Sequence, residues 1–402
     1  MAVNYLADLS WLSILLLVGI LCSIIALRVR LPQMLLLILA GVGIGYTGWV
    51  DFSTSFLTSF GVFALIMIVF DATSKFKLRE ISILSPRALR LSIVFLLMNL
   101  IFLTLATHLL FDGRLTVTSV LISLLFSALM SGTDAGAVLS SLKDGAGRII
   151  RLIELESVLN TPITVIFPLI ILFWFQGTLQ ASDVVVFFFR GIMAGVGTGL
   201  VLGLVSFKLM KRKYIETISP LVVIAVALIS YTLAENIGGN GVLSVTTLGI
   251  VFGWSAIKEK ESLKKFVTIF TNFLTIVIFI LLGLFIALPS DKGFFIKSII
   301  LFGIYMAIRV ISVFVSMWGA NDLGIKERMF ISLNISKGVA VASIAFILMT
   351  TLADPVLKLG PLELAALNNM IQLALLFILY TIVVSSISLR FTQFFLSRGN
   401  GK

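Results

Sequence analysis

Residues 121–143 read LISLLFSALM-SGTDAG-AVLSSLK, an apolar run long enough to cross a bilayer but interrupted at its middle by a polar cluster between Gly132 and Gly136. The glycines weaken the helix there, and Ser131, Thr133 and Asp134 offer a loosened backbone competing hydrogen bonds. A second run behaves the same way: residues 328–349 read RMFISLN-ISKG-VAVASIAFILM, with Ser336, Lys337 and Gly338 at the interruption. Irregular backbone at membrane depth persists only where protein or a water-filled cavity satisfies it. Two interrupted spans in corresponding places of two halves are the pattern of a transporter substrate site.

The rest of the chain fits a membrane setting. Of 402 residues, 59% are apolar and 12% charged, against about 45–50% and about 25% in soluble domains, and the mean hydropathy is +1.15. That excludes a soluble enzyme, a nucleic-acid binder and a secreted disulfide scaffold. The net charge of +11 comes from short Lys/Arg clusters between apolar runs, not from one basic face. Cys22 is the only cysteine and His108 the only histidine. A disulfide is therefore impossible within the chain, no metal centre or cofactor is expected, and His108 reads as an ordinary interfacial residue. MAVNYLADLS lacks the basic segment of a cleaved leader, so the first run counts as a span.

Runs able to cross the ~30 Å hydrocarbon core lie at about 9–27, 31–47, 56–71, 90–110, 116–142, 153–175, 184–207, 219–234, 240–256, 266–288, 295–317, 328–353 and 367–390. With the N-terminus outside, 23 of the 30 Lys and Arg residues fall in inner loops, as the positive-inside rule requires. The expectation is an all-α polytopic protein of thirteen spans, N-terminus out and C-terminus in. Inverted repeats at about 9–175 and 219–390 are joined by the span at 184–207, and the break falls in the fifth member of each. Where broken helices cross, Asp134 suits paired N-termini and Lys337 paired C-termini. About a dozen residues follow the last span, so regulation is expected through loops or site titration.

Ionisable groups at membrane depth are functional candidates. Span six opens IELESVLNTPITVIFPLI (residues 153–170), which gathers Glu154, Glu156, Ser157, Asn160 and Thr161 into one polar arc. Pro162 frees a carbonyl one turn earlier. Such an arc lines a cavity or meets another polar span. Asp71 is either an inner-edge residue or an ion ligand. Arg190 and Glu235, near span ends, read as structural. Gly191, Gly195, Gly199 and Gly203 mark close packing, within the chain or at a dimer contact.

SGTDAGAVLSSLK followed by RLIELESVLNTP resembles the Thr-Asp crossover and the following Glu-Ser-x-x-Asn-Asp helix of monovalent cation–proton antiporters. The nearest branch is the archaeal and bacterial NhaP-type sodium/proton exchangers, relatives of the eukaryotic NHE exchangers. GVLSVTTLGIVFG (241–253), Arg309 in span eleven and SKGVAVASIA (336–345) agree with it. The resemblance implies a homodimer in which a core domain around spans 5, 6, 12 and 13 moves against a dimerisation domain built from the remaining spans. It matches Thr133 and Asp134 to the crossover, Ser157 and Asn160 to the cation site, and Glu156 to a carboxylate paired with a basic residue of span twelve, here Lys337. Glu154 and Arg309 are accessory charges. In two places the chain departs from the family. TDA replaces TDP, and Thr161 stands where the family carries its main carboxylate.

The implied function is secondary active exchange of Na⁺ or Li⁺ for H⁺ across the cytoplasmic membrane, serving pH homeostasis. H⁺ and the cation compete for Asp134, with Thr133, Ser157 and Thr161 oxygens assisting and Asp71 as a possible second carboxylate. One carboxylate would make one-for-one exchange electroneutral. K⁺/H⁺ antiport, a sodium-coupled organic-solute symporter and a channel or sensor remain alternatives. No catalytic constellation points to an enzyme.

Overall fold

The computed structural model describes residues 5–29, 32–48, 50, 52, 54–75, 78–114, 116–134, 147–175, 184–212, 215–255, 257, 259–286, 291–319, 323–352 and 359–396. Most of the chain in these stretches is helical. In order they are α1 (Tyr5–Val29), α2 (Gln33–Thr47), α3 (Thr54–Ser74) and α4 (Leu78–Met98). A π-helical turn (Asn99–Leu103) joins α4 to α5 (Thr104–Phe111), and then come α6 (Val117–Leu129), α7 (Gly147–Phe175) and α8 (Val184–Arg212). The second half has α9 (Ser219–Asn236), α10 (Gly241–Trp254), α11 (Lys260–Leu284), α12 (Lys292–Ser316), α13 (Ile325–Leu333), α14 (Val339–Leu352), α15 (Pro361–Arg390) and the short α16 (Thr392–Leu396).

Each of the thirteen expected runs overlaps at least one of these helices. Span four is α4, the π turn and α5, while span twelve is α13 and α14. Span five is α6 followed by an irregular stretch to Asp134, and its second half, 135–146, lies outside the described residues. Helices α4 and α7 start earlier than the apolar runs do, because an intrahelical backbone needs no partner and can continue past the hydrocarbon edge. Arg148 and Arg151, expected in an inner loop, therefore sit in the first turns of α7, and Arg87 and Arg90 in the middle of α4.

The ends are capped by local chemistry. Thr116 accepts from the Ser119 N–H (3.2 Å) at the start of α6, and Asn240 from Leu243 N–H (2.9 Å) at the start of α10. Asp291 accepts from the N–H groups of Gly293 and Phe294 at 2.9 and 3.1 Å, a conventional N-cap. Apolar side chains on the outward faces of α1, α8 and α12, such as Leu27, Met193 and Ile296, are exposed, as lipid-facing residues are.

Two intimate crossings organise one side of the bundle. Helix α2 crosses α11 where a Cβ on Gly41 would stand 2.1 Å from the Ile280 carbonyl, and one on Gly283 2.2 Å from the Ile38 carbonyl. Part of the glycine stripe of α8 resolves as packing within the chain: a Cβ on Gly195 would stand 2.6 Å from the carbonyl of Asn240, the cap of α10, and one on Gly199 2.1 Å from that of Ser244 on α10. Gly191, by contrast, has open space. Gly199→Ala is therefore expected to lower the unfolding temperature in detergent, whereas Gly191→Ala leaves it within a degree or so of wild type. Equal shifts would sink the assignment. On the other side, α4, α6, α7, α12, α13 and α15 pack together, and α14 rests on α3, α7 and α15.

Candidate cation and proton site

The two interruptions meet. The Asp134 N–H donates to the Ser336 carbonyl (2.8 Å), and the Ser336 hydroxyl donates back to the Asp134 carbonyl (2.9 Å). The freed backbone of span twelve is satisfied by α15: Ile335 N–H donates to Ser385 Oγ (3.2 Å), whose own proton goes to the Leu333 carbonyl (3.2 Å). Asn334 Nδ2 donates to the Phe330 carbonyl (2.7 Å) and to Ser388 Oγ (3.4 Å). Sequence reading missed this support, whose only signal was a Ser385–Ser388 pair in an apolar span.

Lys337 lies fully buried at the C-terminal end of α6, its ammonium donating to the Met130 and Gly132 carbonyls (2.6 and 2.5 Å) and to the Tyr305 hydroxyl (2.6 Å). A cation there compensates the negative end of the helix dipole, as the crossing of broken helices requires. Asp134 takes the opposite position, beside the first turn of α14. A Cβ on Gly338 would stand 2.4 Å from its carboxylate carbon.

A cavity of about 80 Å³ opens at this point, lined by Ile68, Val69 and Ala72 of α3, Gly132, Thr133 and Asp134 of the break, Ser157 and Thr164 of α7, and Gly338, Ala340 and Val341 of span twelve. Ser157 donates its proton to the Thr133 carbonyl (2.9 Å), and Asn160 Nδ2 donates to Thr133 Oγ1 (3.4 Å). Thr133, Ser157 and Asn160 are all buried. Asp134 is the one carboxylate among the described lining residues. A carboxylate can hold a proton, and a hard alkali cation needs oxygen ligands of this kind. Thr161 lies on α7, but its side chain is outside the described residues.

Two expectations need correction. Glu156 pairs not with Lys337 but with Arg309 of α12, whose guanidinium grips both carboxylate oxygens; Nη2 to Oε2 is 2.9 Å. Both side chains are fully buried. The planar guanidinium suits a two-point carboxylate contact, whereas a Lys amine is a point charge suited to carbonyls. Arg309 also donates to the Ile331 carbonyl (3.3 Å) and lies 4.5 Å from the Phe95 ring centre. Spacing along the chain gives no clue to this partnership across 153 residues. The second correction concerns Asp71. One of its oxygens is held by Lys75 (2.6 Å) and the other by the Thr268 hydroxyl (2.9 Å). It ties α3 to α11 and does not line the cavity, although Val69 and Ala72 beside it do.

Glu154 is half-buried on α7 and is likewise not among the lining residues. Glu235 and Arg190 hold the turn between α9 and α10: Glu235 accepts from the Gly241 N–H (2.7 Å), and Arg190 donates to the Ile237 carbonyl (3.2 Å).

A helical membrane bundle with touching broken spans and a carboxylate at their contact is the architecture of an ion-coupled transporter. The chain belongs to the sodium/hydrogen exchanger transmembrane family, whose model matches residues 12–394. It is 27% identical over 328 residues to the K⁺/H⁺ antiporter NhaP2 of Shewanella oneidensis, covering 78% of this chain and 56% of that protein. It is 26% identical over 371 residues to the probable Na⁺/H⁺ antiporter 2 of Methanocaldococcus jannaschii, covering 86% of each. The chain thus spans little more than half the length of the Shewanella relative. Its fold matches the structure of the sodium proton antiporter MjNhaP1 from M. jannaschii at pH 8, with a TM-score of 0.81 at 20% identity over 96% of this chain and all of that one. The fold is therefore that of a multi-pass integral membrane protein with thirteen spans in inverted repeats.

Proposed function

We propose that the protein is a secondary active antiporter that exchanges Na⁺ or Li⁺ for H⁺ across the cytoplasmic membrane by alternating access. The observation that carries this reading is Asp134, the single carboxylate among the described lining residues of a cavity at the contact of two broken spans. Either a proton or a desolvated cation satisfies that carboxylate, and the two compete. Thr133, Ser157 and Thr161 supply further oxygens, and Asn160 orients Thr133. Glu156–Arg309 and Lys337 hold the framework. The moving unit is a core around spans 5, 6, 12 and 13, sliding against the remaining spans, which carry a homodimer contact. With one titrating carboxylate the exchange is one-for-one and electroneutral.

A second reading, K⁺/H⁺ exchange at the same site, draws support from the Shewanella relative named above. It also fits Thr161, because an uncharged ligand weakens the case for the more tightly hydrated Na⁺. Proteoliposomes with an internal pH dye and an imposed pH gradient decide between them. Addition of Na⁺, Li⁺, K⁺ or choline chloride should give a pH change with the alkali cations only, and the ranking names the ion. No response to any cation would overturn the antiport reading.

Gly338 supplies a further test. Gly338→Ala would force the Asp134 carboxylate aside, so the cation concentration for half-maximal exchange should rise while expression and folding stay near wild type. An unchanged value would remove Asp134 from the cation site.

A further inference from the structure

Nine buried side-chain polar atoms among the described residues have no protein hydrogen-bond partner, and five of them sit on one ten-residue stretch of span four. They are both amide atoms of Asn99, the hydroxyls of Thr104 and Thr107, and Nε2 of His108. Asn99 and Thr107 are completely inaccessible, and Thr104 and His108 are no more than 8% exposed. Leaving a buried polar group without a partner is costly, so five on one stretch need an occupant.

The π turn explains part of the arrangement. Threonines in helices commonly close on the carbonyl four residues earlier, as Thr73, Thr198 and Thr246 do here. The carbonyls four residues before Thr104 and Thr107 belong to Leu100 and Leu103, inside the π turn, where the Thr104 N–H reaches back to the Asn99 carbonyl instead. Widening of the helix leaves both hydroxyls unclosed.

At the outer end the seam has a defined head. The single proton of Ser119 goes to Asp112 Oδ2 (2.6 Å), so Ser119 Oγ accepts from His108 Nδ1 (3.2 Å). Asp112 is also held by Arg114 at 2.5 Å. With Nδ1 committed to Ser119, Nε2 is the nitrogen left for the seam. Helix α6, packed against α5 and the π turn, carries the buried Ser119, Ser123 and Ser127 one turn apart, and Ser131 follows just past its end; the last three each donate to the carbonyl four residues earlier. That row ends one residue before Gly132, whose carbonyl holds Lys337.

The unmet groups include donors (the Asn99 amide N–H and two hydroxyl protons) as well as acceptors (Asn99 Oδ1 and the free imidazole nitrogen). A bare alkali cation satisfies only acceptors, and no carboxylate lies among the five atoms. Water satisfies both kinds and is the usual occupant of buried polar sites. We propose that a file of ordered water fills the seam between span four and α6, from His108 at the outer end to Asn99 at mid-membrane. It gives protons, but not alkali cations, a path from the outer end to mid-membrane on the way to Asp134, where the two compete. The hydration stands on the seam alone, whereas the route rests on the exchange reading above.

His108 is the single histidine, so the ring signals of ¹⁵N-histidine-labelled protein in liposomes are assigned by composition. Solid-state NMR should find Nδ1 protonated and magnetisation passing from water to Nε2. Thr107→Val, which keeps the shape, and Asn99→Leu should each lose the water transfer. Absence of that transfer in the wild-type protein, or its full persistence in both variants, would overturn the water file. In proteoliposomes both variants should slow exchange severalfold at unchanged half-saturating cation concentration. Unchanged rates with the water lost would overturn the proton route. A wild-type protein that exchanges nothing would count against the antiport reading and leave the NMR result standing.

Discussion

Asp134→Asn is expected to abolish cation-dependent proton movement, leaving the internal dye response to Na⁺, Li⁺ and K⁺ at the level of protein-free liposomes. Asparagine keeps the shape of the side chain, so the Gly338 contact and the paired backbone bonds with Ser336 have no reason to change. What it loses is the charge that a cation needs and the oxygen that carries a proton, and no second carboxylate among the described lining residues replaces it. The variant should therefore fold with a near-normal melting temperature and fail only in exchange. Residual coupled exchange above about a tenth of wild type would mean that another group carries the proton. Glu154 would be the next carboxylate to test, since it is half-buried one turn before Ser157.

Arg309→Met should be the most damaging single substitution to the framework. Removing one member of a fully buried ion pair leaves the other charge unpaired, at a cost of roughly 3–5 kcal/mol. Here Glu156 would lose the guanidinium that holds both of its oxygens. The expected result is a large fall in apparent melting temperature in detergent and poor recovery of folded protein. The double variant Arg309→Met/Glu156→Gln should regain most of the loss, because neither charge then remains. A double variant as unstable as the single would show that Arg309 acts through its Ile331 carbonyl contact and its packing on Phe95. Lys337→Met is a separate case. It strips the α6 carbonyls of their donor but leaves Glu156–Arg309 intact, so it tests the helix-end role alone.

The sequence by itself determined the membrane class, the thirteen spans and the location of both breaks. These are readable because each depends on local quantities: run length, loop charge, and glycine or polar residues within an apolar stretch. Thr133, Asp134, Ser157 and Asn160 were legible for the same reason, as polar groups on the break or on one helical face. Tertiary structure alone decided who meets whom. Arg309 won Glu156 because a planar guanidinium on α12 reaches both oxygens, while Lys337 lies under the end of α6, whose carbonyls take its amine. Asp71 left the site because Lys75 and Thr268 occupy both its oxygens. Gly195 and Gly199 of α8 chose an internal partner because α10 approaches at that height. The polar face of span four needed the most structure of all, since a lone histidine and scattered threonines carry no periodic signal, and only burial reveals that their hydrogen bonds are unmet.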